Sequence, residues 1–338
     1  MARGPDLTAV TVGVRGAASL LGVLAALRRQ TIAERVEVVA VIPPGAQPPS
    51  PDGFFGVRVA ELGEADTTGA AIARGVKLAG APVVAYSEEH SWPEAEWAER
   101  LLDAHDGRRA AVAWTLVNAN PGSSTSWTHL ISDFSHAVDP TPPGLRRTLP
   151  WHHTSYRSEV LLAYGDELGE MLEVEWRVHA DLLKRGEALY LEAAARSRHW
   201  NISRLPAQVV TEARGGRTFG ASRVAAGRWS AIRRTIYALA APLIFLLRLR
   251  VAGADLRRIR PPHPLRVGAM LSLLLTVSTL AEVSGYLFGF GDARRRRTGA
   301  ELDRAGYLNG ADRRAWATEL DRLADLERRS IPSATTAS

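Results

Sequence analysis

Two short, unbroken apolar runs, 38–42 (Val-Val-Ala-Val-Ile) and 82–86 (Pro-Val-Val-Ala-Tyr), constrain this chain more than any other feature. A strand whose every side chain is apolar must be covered on both faces. That is the condition of a strand inside a parallel sheet flanked by helices. The segments between them are helical in pattern. In 17–29, Leu20, Leu21, Leu24 and Leu27 share one face of a 3.6-residue period, and 67–78 reads as a second helix. With a β-rich run at 9–14 ahead of them, strand and helix alternate through the first ninety residues. This predicts an α/β fold with a mostly parallel sheet and flanking helices. Ligands of such sheets bind outside the carboxyl ends of the strands, here after Val14, Ile42 and Tyr86.

Ser87-Glu88-Glu89-His90 follows the third of these ends. Carboxylates leaving a parallel sheet at that point can hold a divalent cation through hard oxygen ligands, and the cation can bridge a diphosphate. His90 adds an imidazole suited to manganese. As a bare pattern the same residues also fit a solvated loop. Beyond them the sequence predicts a helix over 94–105 and a strand over 110–117. A turn-rich stretch at 118–127 and a Pro-rich loop at 139–150 come next. A helix over 170–185 is closed by Gly186, and a short strand covers 188–192.

The charge is divided unevenly. Residues 1–199 carry 19 basic and 25 acidic side chains, whereas residues 200–338 carry 23 and 11. Arginines in the second part alternate with long aliphatic runs rather than with aromatic stacking platforms. That composition predicts a membrane surface, not nucleic acid, as the partner. The run at 235–247 is too short to cross a bilayer, which takes about 20 residues. The run at 267–291 is long enough, but basic residues flank it on both sides, so loop charge gives it no orientation. Ser272, Thr276, Thr279 and Glu282 fall on one stripe, which favours a helix lying in the interface. A buried helix of a soluble domain would carry the same pattern. The chain has no cysteine, excluding disulfides and thiolate metal sites. Residues 1–6 are polar and Arg15 interrupts the first apolar run, so the expectation is a catalytic part without a signal peptide, in the cytosol. The expected division is 1–204, a basic apolar helical region at 205–297, and a charged helix with a tail at 298–338.

The stretch 83–97 (Val-Val-Ala-Tyr-Ser-Glu-Glu-His-Ser-Trp-Pro-Glu-Ala-Glu-Trp) resembles a segment of the family 2 glycosyltransferases. There an apolar strand delivers an acidic motif, followed by a proline and a tryptophan-bearing helix. Gln30-Thr31, Ala73-Arg74-Gly75, Ser126-Trp127 and Ser155-Tyr156-Arg157 extend the resemblance over roughly residues 9–204. Ala281-Glu282, Gly285-Tyr286-Leu287 and Gly289 resemble the C-terminal appendage of bacterial, membrane-associated members. The resemblance implies a GT-A fold, in which a Rossmann-like nucleotide half is fused to an acceptor half. It also implies metal-assisted, inverting transfer from a nucleotide-sugar donor to a lipid or glycan acceptor at the cytoplasmic face of the membrane. Glu89 and His90 would be ligands of Mg²⁺ or Mn²⁺, with Arg74, Glu88, Trp127 and His199 serving the donor.

Inversion also needs a carboxylate that takes the acceptor hydroxyl's proton. The family supplies it from an acidic pair at a helix start ahead of a glycine. Here that pair is Glu173 and Glu175 before Gly186, and the spacing favours Glu175. The two point in different directions on a helix, so only one is expected to face the crevice. Three departures keep an alternative open. No acid follows the 38–42 run, Gly13-Val14-Arg15-Gly16 replaces a polar tripeptide, and Trp151-His152-His153 stands where the family has Gly-His-Asn. The alternative is a catalytically degenerate relative acting as a binding or scaffold protein at the membrane.

Overall fold

In the computed structural model, residues 4–64, 66–293, 296 and 302–330 are described. Strand β1 (Leu7–Val12) leads through a 3₁₀ turn into α1 (Leu21–Arg28). β2 (Val36–Ile42) is followed by β3 (Gly56–Glu61), and α2 (Thr68–Leu78) leads to β4 (Val83–Tyr86). These four strands are parallel in the order β3-β2-β1-β4, with Val10 paired to both Val39 and Tyr86. Alternate side chains of β1 and β2 enter two separate cores. Leu7, Ala9, Val38 and Ala40 meet Leu24 and Leu27 of α1, whereas Val10, Val39 and Val41 meet Ile72 and Val76 of α2. The unbroken apolar runs thus follow from helices on both faces. At Gly75 a Cβ would overlap the Val10 side chain, so α2 lies directly on β1.

The second half of the sheet is built differently. After β5 (Ser91–Pro93) come α3 (Trp97–Ala104), β6 (Arg109–Asn118), α4 (Ser124–Phe134) and β7 (Gly144–Leu145). Then follow β8 (Thr154–Arg157), α5 (Ser158–Leu162), α6 (Leu168–Glu173), α7 (Trp176–Lys184) and β9 (Ala188–His199). The sheet continues β4-β8-β6-β9-β5, with β7 also on β9. β8 is antiparallel to both its neighbours, β9 is parallel to β6, and β5 and β7 are antiparallel to β9. The α/β class expected from the sequence is present, but the sheet is mixed rather than mostly parallel. The reason is local: β8 returns between β4 and β6 from the Pro-rich loop, without the crossover that a parallel strand requires.

Three further expectations are corrected. The helix over 170–185 is two helices, broken at Val174 (φ −138°, ψ 72°), which leaves Glu175 at the N-cap of α7. Gly186 ends α7 as expected, at φ +81°. The short strand at 188–192 runs on to His199 through an irregularity opposite Trp114 and Thr115. The turn-rich stretch gives way at Ser124 to α4, because the Ser123 side chain caps the Ser126 N–H.

The C-terminal region comprises α8 (Leu205–Gly227), α9 (Ala231–Leu239), α10 (Ala241–Ile259) and α11 (Pro264–Phe288). A 3₁₀ turn (Arg304–Tyr307) precedes α12 (Gly310–Ser330). The charged helix expected from about residue 300 therefore starts later, and residues 297–301 lie outside the described residues. So do 294 and 295, two of the flanking arginines.

α11 has the length and composition to cross a membrane, with a mean hydropathy of 1.6, while α9 and α10 meet at a bend of 52°. The polar stripe of α11 is divided, with Thr276 exposed, Ser272 half-buried and its C-terminal part turned inward. Thr279 and Glu282 are buried, and Glu282 pairs with Arg223 at 2.9 Å and Arg248 at 2.6 Å. At Gly216, Gly220 and Gly285 a Cβ would overlap the carbonyl oxygen of Ser278, Glu282 or Arg217, so α8 and α11 approach through small residues. Leu243, Leu246, Leu247, Leu265, Leu280 and Phe288 are left exposed.

Candidate functional site

β4, β8 and β9 bring three side chains to one point. The ladder of β4 on β1 closes where Ser87 N–H donates to Val10 O at 2.8 Å. Glu88, Glu89 and His90 follow, all at 5% exposure or less. His153 immediately precedes β8, and His199 ends β9. Ligand atoms of Glu88, His153 and His199 lie within 4.8 Å of one another and could hold a metal ion. Glu88 Oε2 is 3.5 Å from His153 Nε2 and 3.4 Å from His199 Nε2. All three atoms are buried and, among the described residues, the two imidazole nitrogens make no hydrogen bond, while Glu88 Oε2 also has His90 Nε2 at 3.0 Å; a cation between the three would satisfy them. Two imidazoles and one carboxylate suit a first-row transition ion better than Mg²⁺, which prefers oxygen ligands.

Electrostatics agree with the geometry. Burial raises the Glu88 carboxyl, but the imidazoles of His90, His153, His152 and His199 outweigh it and hold Glu88 well below the usual carboxylate range. Burial pushes His153 down to about 4 and His199 well below the ordinary histidine value, against the pull of Glu88. Both rings are neutral at pH 7 and keep lone pairs available.

Glu89 and His90 face elsewhere. Glu89 bonds His90 Nδ1 and accepts from the Arg304 backbone N–H at 2.8 Å. His90 Nε2 has two claimants, Arg304 Nη2 at 2.8 Å and Glu88 Oε2 at 3.0 Å. A lone pair there serves the arginine and a proton serves the carboxylate. Burial and Arg304 lower the His90 pKa, but Glu89 and Glu88 outweigh them and raise it to about 9. Glu89 and His90, the metal ligands that the resemblance implies, thus bond each other or approach Arg304 and are not members of that cluster. The converging set is Glu88, which the resemblance gave to the donor, together with His199 and His153.

The acidic pair is separated by the break before α7. Glu173 accepts from Gly69 N–H at 2.8 Å and so ties α6 to the first turn of α2. Glu175 is buried and lies outside the lining of the main cleft. It accepts from Tyr156 Oη at 2.8 Å and from His152 N–H at 2.6 Å. Burial raises its pKa against the influence of His152. His152 adopts φ +59°, a left-handed conformation that is costly for a residue with a Cβ. Glu175 pins that backbone while the ring reaches toward Glu88, with Nδ1 3.2 Å from Oε1.

Glu88, Trp151, His152 and Arg304 line one end of a cleft of about 730 Å³. Arg223, Leu247, Arg248, Leu271 and Glu282 line the rest, so the cleft runs from the histidine cluster onto the C-terminal helices. Two residues expected to bind the donor stand apart. Arg74 on α2 pairs with Asp66 at 2.7 Å, and Trp127 on α4 donates to Pro121 O at 2.9 Å. Neither lines the cleft.

His129, unmentioned by the sequence reading, faces Arg304 and stacks near His199 with ring centroids 6.1 Å apart. Nothing in its local sequence marks it. The pairing of His152 with His153 was visible, but only as a departure from a family pattern. Fold and site together define an α/β protein with a buried carboxylate–imidazole cluster at the ends of its strands. No protein-family model matches the chain, and no curated protein matches it.

Proposed function

We propose that this chain is a GT-A-type, inverting glycosyltransferase. It moves a sugar from a nucleotide-sugar donor to a lipid-linked or membrane-proximal acceptor at the cytoplasmic face of the membrane. The observation that carries the reading is the Glu88–His153–His199 cluster, whose Glu88 lines a cleft with apolar helices as its far walls. A divalent ion held there would neutralise charge on a departing nucleoside diphosphate. Glu88, His153 and His199 would bind it and fix the donor's diphosphate against the strand ends. His152, whose ring lines the cleft, would take the acceptor hydroxyl's proton, and Glu175 would position it from beneath. The apolar walls formed by Leu247, Leu271 and Leu275 suit an acceptor with a hydrocarbon portion.

A second reading, a catalytically silent relative, is favoured by two observations. β2 closes on Ile42-Pro43 with no acid at its carboxyl end, and Glu175 lies outside the cleft. Release of nucleoside diphosphate from a panel of nucleotide sugars, with Mn²⁺ and membrane extract, separates the two. Transfer predicts release, reduced roughly 10²-fold in His152→Asn, which tolerates the left-handed backbone but cannot serve as the base, with donor affinity nearly unchanged. No release from any donor would leave the silent reading.

A further inference from the structure

Arg304 lies 214 residues along the chain from His90, yet it is buried against it, at 2% exposure. A guanidinium removed from water needs compensation from anions or hydrogen bonds. Among the described residues it forms no ion pair. Nη2 lies 2.8 Å from His90 Nε2, Nη1 lies 3.4 Å from His129 Nε2, and the buried Nε has no partner. The side chain also lines the cleft. Its backbone is firmly built in. Ser203 N–H donates to Tyr307 O at 3.2 Å, Asn309 N–H to Ser203 Oγ at 2.9 Å, and Asn120 to Asp312 at 2.9 Å. One residue earlier, Asp303 pairs with Arg15 beyond the end of β1 at 2.8 Å. His90 and His199 have ring centroids 4.8 Å apart, which puts the guanidinium beside the possible metal ligands.

We propose that Arg304 is the oxyanion receptor of this site, taking phosphoryl oxygens of a diphosphate-bearing ligand. The site is then incomplete without the turn Arg304–Tyr307. A guanidinium offers planar, paired donors that match phosphate geometry, and this one, on a residue that lines the cleft, has a buried Nε without a partner among the described residues. A nucleoside diphosphate and a lipid-linked diphosphate present the same group. The inference deepens the proposed transfer reaction and rests on it for the ligand's identity, though not for the anion.

Isothermal titration of the full chain with inorganic pyrophosphate, uridine diphosphate and geranyl diphosphate tests it. Wild type is expected to bind pyrophosphate, Arg304→Gln to bind it at least 10-fold more weakly, and Arg304→Lys to fall between. Tighter binding of uridine diphosphate marks the donor as the source, and tighter binding of geranyl diphosphate marks the lipid. Equal affinity in Arg304→Gln, or no diphosphate binding by wild type, overturns the proposal. Should the variants fail to fold, hydrogen exchange of wild-type residues 302–308 decides. Pyrophosphate should slow it, and unchanged exchange overturns the proposal. Diphosphate binding by a chain that releases nothing from nucleotide sugars would sink the transfer reading alone.

Discussion

His105 supports the site from outside the cleft, with Nε2 2.9 Å from Ser155 Oγ on β8, the strand that follows His153. Burial pushes its pKa down to about 4. The folded chain therefore keeps it neutral where an unfolded chain, with an ordinary value near 6.5, takes up a proton. Its contribution is complete above pH 6.5 and is lost as pH falls toward 4. At pH 5 the loss is about 2 kcal/mol. His105→Gln, which retains hydrogen-bonding groups but does not titrate, should lose about 1–2 kcal/mol less stability between pH 7 and pH 5. Urea unfolding at the two values measures it, and an unchanged pH dependence would contradict the assignment. At this scale the sequence showed half of the site. Glu88 could be placed at a strand end because strand patterning is local, whereas His199 was named through the family resemblance, beyond the strand expected at 188–192. His153 and Arg304 could not be placed, since the first depends on an antiparallel insertion and the second on a contact spanning 214 residues.

α11 shows how an element can have a correct pattern and an unexpected partner. The stripe containing Thr279 and Glu282 was legible, but a stripe alone does not say whether it faces headgroups or another helix. Arg223 and Arg248 claim Glu282, and Gly216, Gly220 and Gly285 let α8 approach closely enough to cover it. The aliphatic face is left outward, with Leu265 at 90% and Phe288 at 75% exposure. If that face lies in the headgroup region, Phe288→Cys carrying an environment-sensitive fluorophore should shift to the blue on adding anionic vesicles. The chain has no other cysteine to label. No shift would mean that the face meets something other than lipid. β1, β2, α2 and β4 were legible because every position repeats one rule of burial. β3, with its exposed side chains, and the break at Val174 were not, because an edge strand and a helix interruption answer to neighbours rather than to local pattern.

Across the whole molecule, the cleft lies where the acidic first part meets the basic second part. Glu88 and His152 come from the sheet, whereas Arg223, Arg248 and Arg304 come from the C-terminal region. A ligand with an anionic centre and an apolar tail would meet both. Metal-dependent recognition of a nucleotide sugar at Glu88 can be measured by thermal unfolding across a panel of nucleotide sugars. A ligand bound only by the native state raises the midpoint by mass action. At least one nucleotide sugar should raise the Tm with Mn²⁺ present, fail to do so with chelator, and lose the effect in Glu88→Gln. A panel that leaves the wild-type Tm unmoved in Mn²⁺, or a rise that persists in Glu88→Gln, would contradict it.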